Sequence, residues 1–175
     1  NIARKEFVIA QHLKGTAVPT PQCFMWQPGG KFFDSPCNLM SHINGAPDLN
    51  PDDLNNFLKK VAEKLAALHQ IPVSKQFLEE SHIKKIVFSD IPPLSDAGPD
   101  ISLKEDTVRI ILKKAPPLDD QPAALLHGDA WPGNMLWRDG KFQALIDWED
   151  AIYGPPLLDV AVLRMDLFWL FGADA

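Results

Sequence analysis

The chain is poor in cysteine: Cys23 and Cys37 are its only two. Both lie in apolar, strand-like runs and no secretion signal is visible. Two buried free thiols in a cytoplasmic protein are therefore expected, not a disulfide-stapled fold. Long apolar runs are missing as well. A membrane helix needs ~18–20 consecutive apolar residues, and the nearest stretch, Leu157 to Phe171, is broken by Asp159, Arg164 and Asp166. No membrane contact is expected. Positive charge is the third shortage. With 17 Lys and Arg against 23 Asp and Glu, the net charge is −6, which argues against nonspecific binding to nucleic acid or anionic membranes and suits a neutral or cationic substrate. Internal repeats are absent. What remains is an ordinary globular composition, 46% hydrophobic over 175 residues, enough for one domain or parts of two. Because it opens on Asn1 and not Met, the chain is expected to be a piece of a longer protein.

The elements follow from periodicity and punctuation. Residues 4–14 read as a helix, with Phe7, Ala10 and Leu13 at helical spacing and Gly15 as the stop. Residues 22–27 read as extended, residues 31–33 as a segment that pairs back, and Cys37 to Ile43 as another strand. Asn50-Pro51-Asp52-Asp53 reads as a helix start, with Asn50 as cap and proline at the first position. The stripe Leu54, Phe57, Leu58, Val61, Leu65 and Leu68 continues that helix to Pro72. Residues 73–101 look irregular or weakly helical. Ser102 to Glu105 forms a capping box for a further helix. Pro155-Pro156 starts a last helix so apolar that it is expected to pack against more protein. Strands first and helices after, with a change near Gly45, give an α+β fold of two lobes: residues 1–45 and 46–175. The cleft between them is the default place for a ligand.

One stretch carries chemistry. Met135 to Arg138 and Lys141 to Ile146 flank Asp139-Gly140, and Asp-Gly between apolar-rich runs is the strongest short hairpin signal. A two-residue turn sets Arg138 opposite Lys141, Leu136 opposite Gln143 and Asn134 opposite Leu145. Asp147 then lies just past the same open end as Asn134. Two oxygen ligands from adjoining strand ends suit magnesium, which takes few protein ligands and fills its octahedron with phosphate and water. Asp129, on the preceding loop, lies near that metal. A carboxylate facing a hydroxyl, plus an amide and a carboxylate on magnesium, is the set that phosphoryl transfer needs. The bland alternative is a surface hairpin with Asx-capped ends.

At these residues the chain resembles the aminoglycoside phosphotransferase and choline kinase group, small-molecule kinases with a protein-kinase-like fold. The resemblance rests on His127-Gly128-Asp129 followed by Asn134, on Ile146-Asp147-Trp148-Glu149, and on Gly154-Pro155-Pro156 leading to Asp159 and Ala161. It implies an ATP- and Mg2+-dependent transfer to the hydroxyl of a small molecule. Asp129 is implied as catalytic base, Asn134 and Asp147 as magnesium ligands, His127 as organiser of the catalytic loop, and Asp159 as its brace. Glu6 matches the helix glutamate that pairs with a phosphate-binding lysine, and Met40, Ser41 and His42 match the hinge that meets adenine. His69, Trp131, Trp137 and Trp148 are read as structural packing.

The chain also departs from the family pattern. No glycine-rich loop or lysine-bearing strand stands ahead of Glu6, and Lys5, adjacent to it, cannot be that lysine. The usual Gly-Asp-Pro is Gly154-Pro155-Pro156, and closing helices are not seen. The expectation is a kinase, or its central part, inactive as this piece alone. A non-catalytic kinase-like binding module or an inactive remnant is the alternative. A protein kinase fits less well, since His-Gly-Asp replaces His-Arg-Asp and Trp-Glu follows Asp147 where Phe-Gly would stand.

Overall fold

The computed structural model describes residues 1–30, 33–86 and 122–172. Helix α1, Ile2–Leu13, begins earlier than the spacing predicts because the Asn1 side chain accepts from the Arg4 N–H at 3.3 Å and caps it. Ile9, Ala10 and Leu13 form its buried face, with Ile9 in the place expected of Phe7. Strands β1, Cys23–Gln27, and β2, Cys37–Met40, pair antiparallel. The strand that pairs with β1 is β2; of the segment expected to pair back, Phe33 is exposed in a bend, and Lys31 and Phe32 lie outside the described residues. β2 stops at Met40, short of Ile43, as the Ser41 N–H turns to the Gln22 carbonyl at 2.8 Å.

Helix α2, Leu54–His69, is capped by Asp53, whose carboxylate accepts from the Asn56 N–H at 3.0 Å. Asn50 is therefore not the cap, and the helix opens three residues after Pro51. Its predicted stripe is buried at Phe57, Val61, Leu65 and Leu68. Part of the stretch read as irregular is helix α3, Lys75–Ser81, capped by Ser74. The helix expected from Ser102 lies outside the described residues.

Two small sheets carry the remainder. β3, Ala46–Pro47, pairs with β6, Met135–Arg138, which pairs with β7, Lys141–Leu145. β4, Lys84–Lys85, runs parallel to β8, Ile152–Gly154, which pairs antiparallel with β5, Ala124–Leu126. Leu125 and Leu126 are wholly buried against α2 and form the floor from which the loop after β5 springs. The last helix, α4, Leu157–Phe171, buries Asp159, Leu163 and Leu167, while Met165, Phe168 and Trp169 face out. Among the described residues no helix is long and apolar enough to cross a membrane. Cys23 and Cys37 are free thiols, the first buried and the second half-buried.

Candidate active site

The hairpin turn takes the predicted form: Asp139 and Gly140 both have positive φ, 50° and 67°. Its register does not. Arg138 faces Lys141 and Trp137 faces Phe142, but then the register shifts, and Leu136 faces Ala144 while Met135 faces Leu145. A bulge at Gln143 absorbs one residue of β7. The expected pairs Leu136–Gln143 and Asn134–Leu145 are therefore each off by one. The Asn134 carbonyl instead accepts from the Ile146 N–H at 2.9 Å, so Asp147 follows directly on the last bond joining the two strand ends.

Between β5 and β6 the chain passes through His127 to Trp131 and a 3-10 turn, Pro132–Asn134. The Asn134 amide nitrogen donates to both the Asp129 carbonyl and Asp129 Oδ2, each at 3.0 Å. This aims the Asn134 Oδ1 elsewhere, and among the described residues nothing donates to it. Gly128 allows the loop its path. Its φ is +83°, and an added Cβ would stand 2.1 Å from the Asp150 carbonyl oxygen, so no side chain fits there.

His127 is fully buried and ties the two loops together. Its Nδ1 accepts from the Asp129 N–H at 3.3 Å, so its proton lies on Nε2, which donates to the Ile146 carbonyl at 3.0 Å. Burial holds its pKa below the ordinary 6.5, against the opposing pull of Asp159 and the Ile146 carbonyl. The ring is neutral and serves as a strut. Below about pH 6.5 the unfolded chain binds a proton here that the folded chain refuses, so this residue's contribution is whole above that pH and is lost as pH falls. Replacing His127 with Asn is expected to flatten the decline of Tm between about pH 6.5 and pH 5. A variant curve parallel to wild type would contradict the neutral strut.

Asp159 braces the loop from α4. It is 1% exposed. Its Oδ1 accepts from the Gly128 N–H at 2.8 Å, and its Oδ2 accepts from the His127 N–H at 2.9 Å and pairs with His69 Nε2 at 2.8 Å. It also stands in the first turn of α4, where the helix dipole favours a carboxylate. His69, read from the sequence as structural packing, is thus part of the support. Its partner lies ninety positions further on. Asp166 is a second residue that the sequence reading missed. Burial, then the charge of Asp129, holds its carboxyl above the usual range.

Asp147 is exposed and left-handed, with φ +65°. Asp tolerates this conformation better than most side chains, and it turns the carboxylate out of the line of β7. A cavity of about 290 Å3 opens beside it, lined by Glu6, Thr20, Cys23, Met40, Ile146 and Trp148 among others. Glu6 and Asp147 therefore meet at one cavity, while Asp129 and Asn134 do not line it. Burial, then the charge of Asp147, pushes the Glu6 carboxyl up, and a hydrogen bond from Asn38 opposes this. Lys5 points away from Glu6 and donates to the Glu149 carbonyl. Of the three residues expected at a hinge, Met40 reaches the cavity, whereas the Ser41 N–H and hydroxyl are both engaged with Gln22 and His42 is exposed. Trp137 and Trp148 are buried packing, the latter 4.5 Å from the His127 ring.

A family model described as the phosphotransferase enzyme family matches residues 3–174. The chain belongs to that family. Among solved structures it is similar to the GDP complex of aminoglycoside 2'-phosphotransferase-IIIa, with a TM-score of 0.72 and 21% identity, over 98% of this chain and 62% of that one. It is also similar to the ADP and hygromycin B complex of a thermostable mutant of aminoglycoside phosphotransferase APH(4)-Ia, with a TM-score of 0.63 and 20% identity over 95% and 62% of the two chains. A macrolide 2'-phosphotransferase from Brachybacterium faecium aligns with a TM-score of 0.68 at 16% identity, over 94% of this chain and 58% of that one. The α+β architecture is accordingly the protein-kinase-like fold of these family members. In sequence the chain resembles acyl-CoA dehydrogenase family member 11 of Rattus norvegicus, 22% identical, and of Homo sapiens, 23% identical, each over 94% of this chain. It spans 23% of the length of those relatives.

Proposed function

We propose that this chain is the catalytic part of a kinase that transfers the γ-phosphoryl group of ATP to a hydroxyl of a small molecule, such as an aminoglycoside, a choline-like alcohol or a homoserine-like compound. One observation carries the reading: the Asn134 amide is clamped on Asp129, and the Asn134 carbonyl accepts from the Ile146 N–H on the neighbouring strand end, one residue before Asp147. Three side chains with the chemistry of phosphoryl transfer thus belong to two loops whose ends are joined by a backbone hydrogen bond. The nucleotides and hygromycin B bound by structurally similar proteins support it.

Magnesium fits the donors. Asn134 offers an Oδ1 turned away from Asp129, and Asp147 an exposed carboxylate, both hard oxygens on adjoining strand ends. When bound there, the ion neutralises charge on the transferring phosphates. The protein does the remainder. Asp129 accepts a hydrogen bond from the acceptor hydroxyl and takes its proton as that oxygen bonds to the γ-phosphorus. The bond to the β,γ-bridging oxygen breaks, and ADP leaves. A carboxylate is a weak base at neutral pH, so orienting the hydroxyl is its larger contribution. His127 and Asp159 hold the loop rigid. Met40, Ser41 and His42 form the hinge beside the nucleotide, and Glu6 partners a phosphate-binding lysine. In this reading residues 1–45 belong to an amino-terminal lobe, residues 46–175 to a carboxy-terminal lobe, and the protein works in the cytoplasm on small molecules.

The test is to incubate the full-length protein with ATP, magnesium and a panel of hydroxylated amines and alcohols, following ADP and product mass together. The expected result is ADP formation that depends on one acceptor class and yields a product heavier by one phosphoryl group. Nucleotide binding with no transfer to any acceptor would favour the non-catalytic module.

A further inference from the structure

The loop that follows Asp147 is held from several sides. Asp147 itself stands at φ +65°, a conformation that a residue other than glycine keeps only where its surroundings enforce it. Trp148 anchors the loop inward. It is buried, its indole N–H donates to Thr20 Oγ1 at 2.9 Å, and its ring lies 4.5 Å from that of His127. The Asp150 carbonyl packs against Gly128, and the Ala151 N–H closes a turn on the Trp148 carbonyl at 3.2 Å. That leaves the Glu149 carbonyl. Its donor is the Lys5 ammonium, which reaches it from α1 across 144 positions of sequence, and among the described residues nothing else donates to it. α1 is a firm base for this reach, because its face at Ile9, Ala10 and Leu13 is buried. The charge suits the place as well. Asp147, Glu149 and Asp150 are all exposed, and among the described residues no Lys or Arg forms an ion pair with any of them. The Lys5 ammonium brings positive charge into this acidic loop.

We propose that Lys5 is a positioning residue: by donating to the Glu149 carbonyl it fixes the loop from Asp147 to Ala151 on α1, and so sets where the Asp147 carboxylate stands. The inference rests on the kinase reading for its purpose, which is to aim Asp147 at magnesium. A lysine that acted only through its charge would work in the opposite sense, since an ammonium beside a cation site repels the cation. Loss of Lys5 therefore weakens metal binding if Lys5 positions the loop and strengthens it if Lys5 is a bystander.

The test compares full-length wild type, Lys5→Met and Lys5→Arg. The contact lies at the surface, so both variants are expected to fold, with Tm within about a degree or two of wild type. The first readout is amide hydrogen exchange over residues 146–151, without metal or nucleotide. Lys5→Met is expected to exchange there roughly fivefold or more faster, the Ala151 amide above all, while α2 keeps its wild-type rates. Lys5→Arg retains the charge and the donor and is expected to restore slow exchange. The second readout is Mn2+ binding in the presence of ADP, with free Mn2+ followed by electron paramagnetic resonance. Binding is expected to be roughly tenfold weaker in Lys5→Met and close to wild type in Lys5→Arg. Wild-type exchange in Lys5→Met overturns the proposal. So does Mn2+ binding in Lys5→Met that equals or exceeds that of wild type, and so does a Lys5→Arg protein that exchanges as fast as Lys5→Met. Should none of the three bind Mn2+, the metal reading fails, and the exchange rates still decide whether Lys5 holds the loop. Neither readout needs phosphoryl transfer, so this inference and the kinase reading fail separately.

Discussion

Asp147→Asn in the full-length protein is expected to abolish turnover, by on the order of 10³-fold or more, while the protein stays folded. The substitution isolates charge from shape. Asp147 is exposed and sits at φ +65°, a conformation that Asn adopts at least as readily as Asp. The backbone strain is thus unchanged, and among the described residues no hydrogen bond is lost from its side chain. What disappears is the negative charge and one of the two carboxylate oxygens, leaving a neutral amide oxygen that binds magnesium more weakly. Turnover should fall and not recover at saturating ATP, with Tm within about a degree or two of wild type. The measurement is kcat across a magnesium titration alongside a thermal melt. Near-normal turnover would sink the metal assignment. A coupled effect is expected at Glu6: its raised pKa owes part of its rise to the Asp147 charge, so the Asp147→Asn change should ease it downwards.

Asp129→Ala should lower turnover far more than it weakens ATP binding, by roughly 10²- to 10⁴-fold in kcat. Asp129 does not line the cavity that Glu6 and Asp147 share, so the proposed nucleotide site keeps its walls. The loop also keeps much of its order. Asn134 loses its bond to Asp129 Oδ2 but retains the one to the backbone carbonyl, a cost of about 1 kcal/mol. His127 and Asp159 still anchor the segment through bonds that do not involve the Asp129 side chain. Single-turnover kinetics with ATP binding measured separately would decide. A loss of ATP affinity with unchanged turnover at saturation would contradict the role of Asp129 as base.

The elements that were legible are those whose forces are local. The Asp139-Gly140 turn follows from two residues that tolerate positive φ, and the α2 stripe from helical spacing of Phe57, Val61, Leu65 and Leu68. The loop motif was legible too, because Asp129 and Asn134 are close enough along the chain to hydrogen-bond without help from the rest of the fold. The hairpin register was not, since the bulge at Gln143 depends on how β7 meets Pro19 and the core: the Leu145 N–H donates to the Pro19 carbonyl at 2.9 Å. The cap of α2 was misplaced by three residues because Asn50 and Asp53 are both good caps, and local preference does not choose between them.

The family, the mixed helix and strand content, the turn and the residue types on the loop from His127 to Asn134 all follow from the order of residues along the chain. Each of these needs only near neighbours or a matching motif. It took folding in three dimensions to settle that His69 meets Asp159 across ninety positions, and that Glu6, Asn38 and Trp26 gather on one side of the β1–β2 pair. Such contacts arise when separate apolar faces pack and bring distant polar groups into a shared interior. There each donor and acceptor must find a partner or leave free energy unrecovered, and no local pattern in the chain encodes which partner that is.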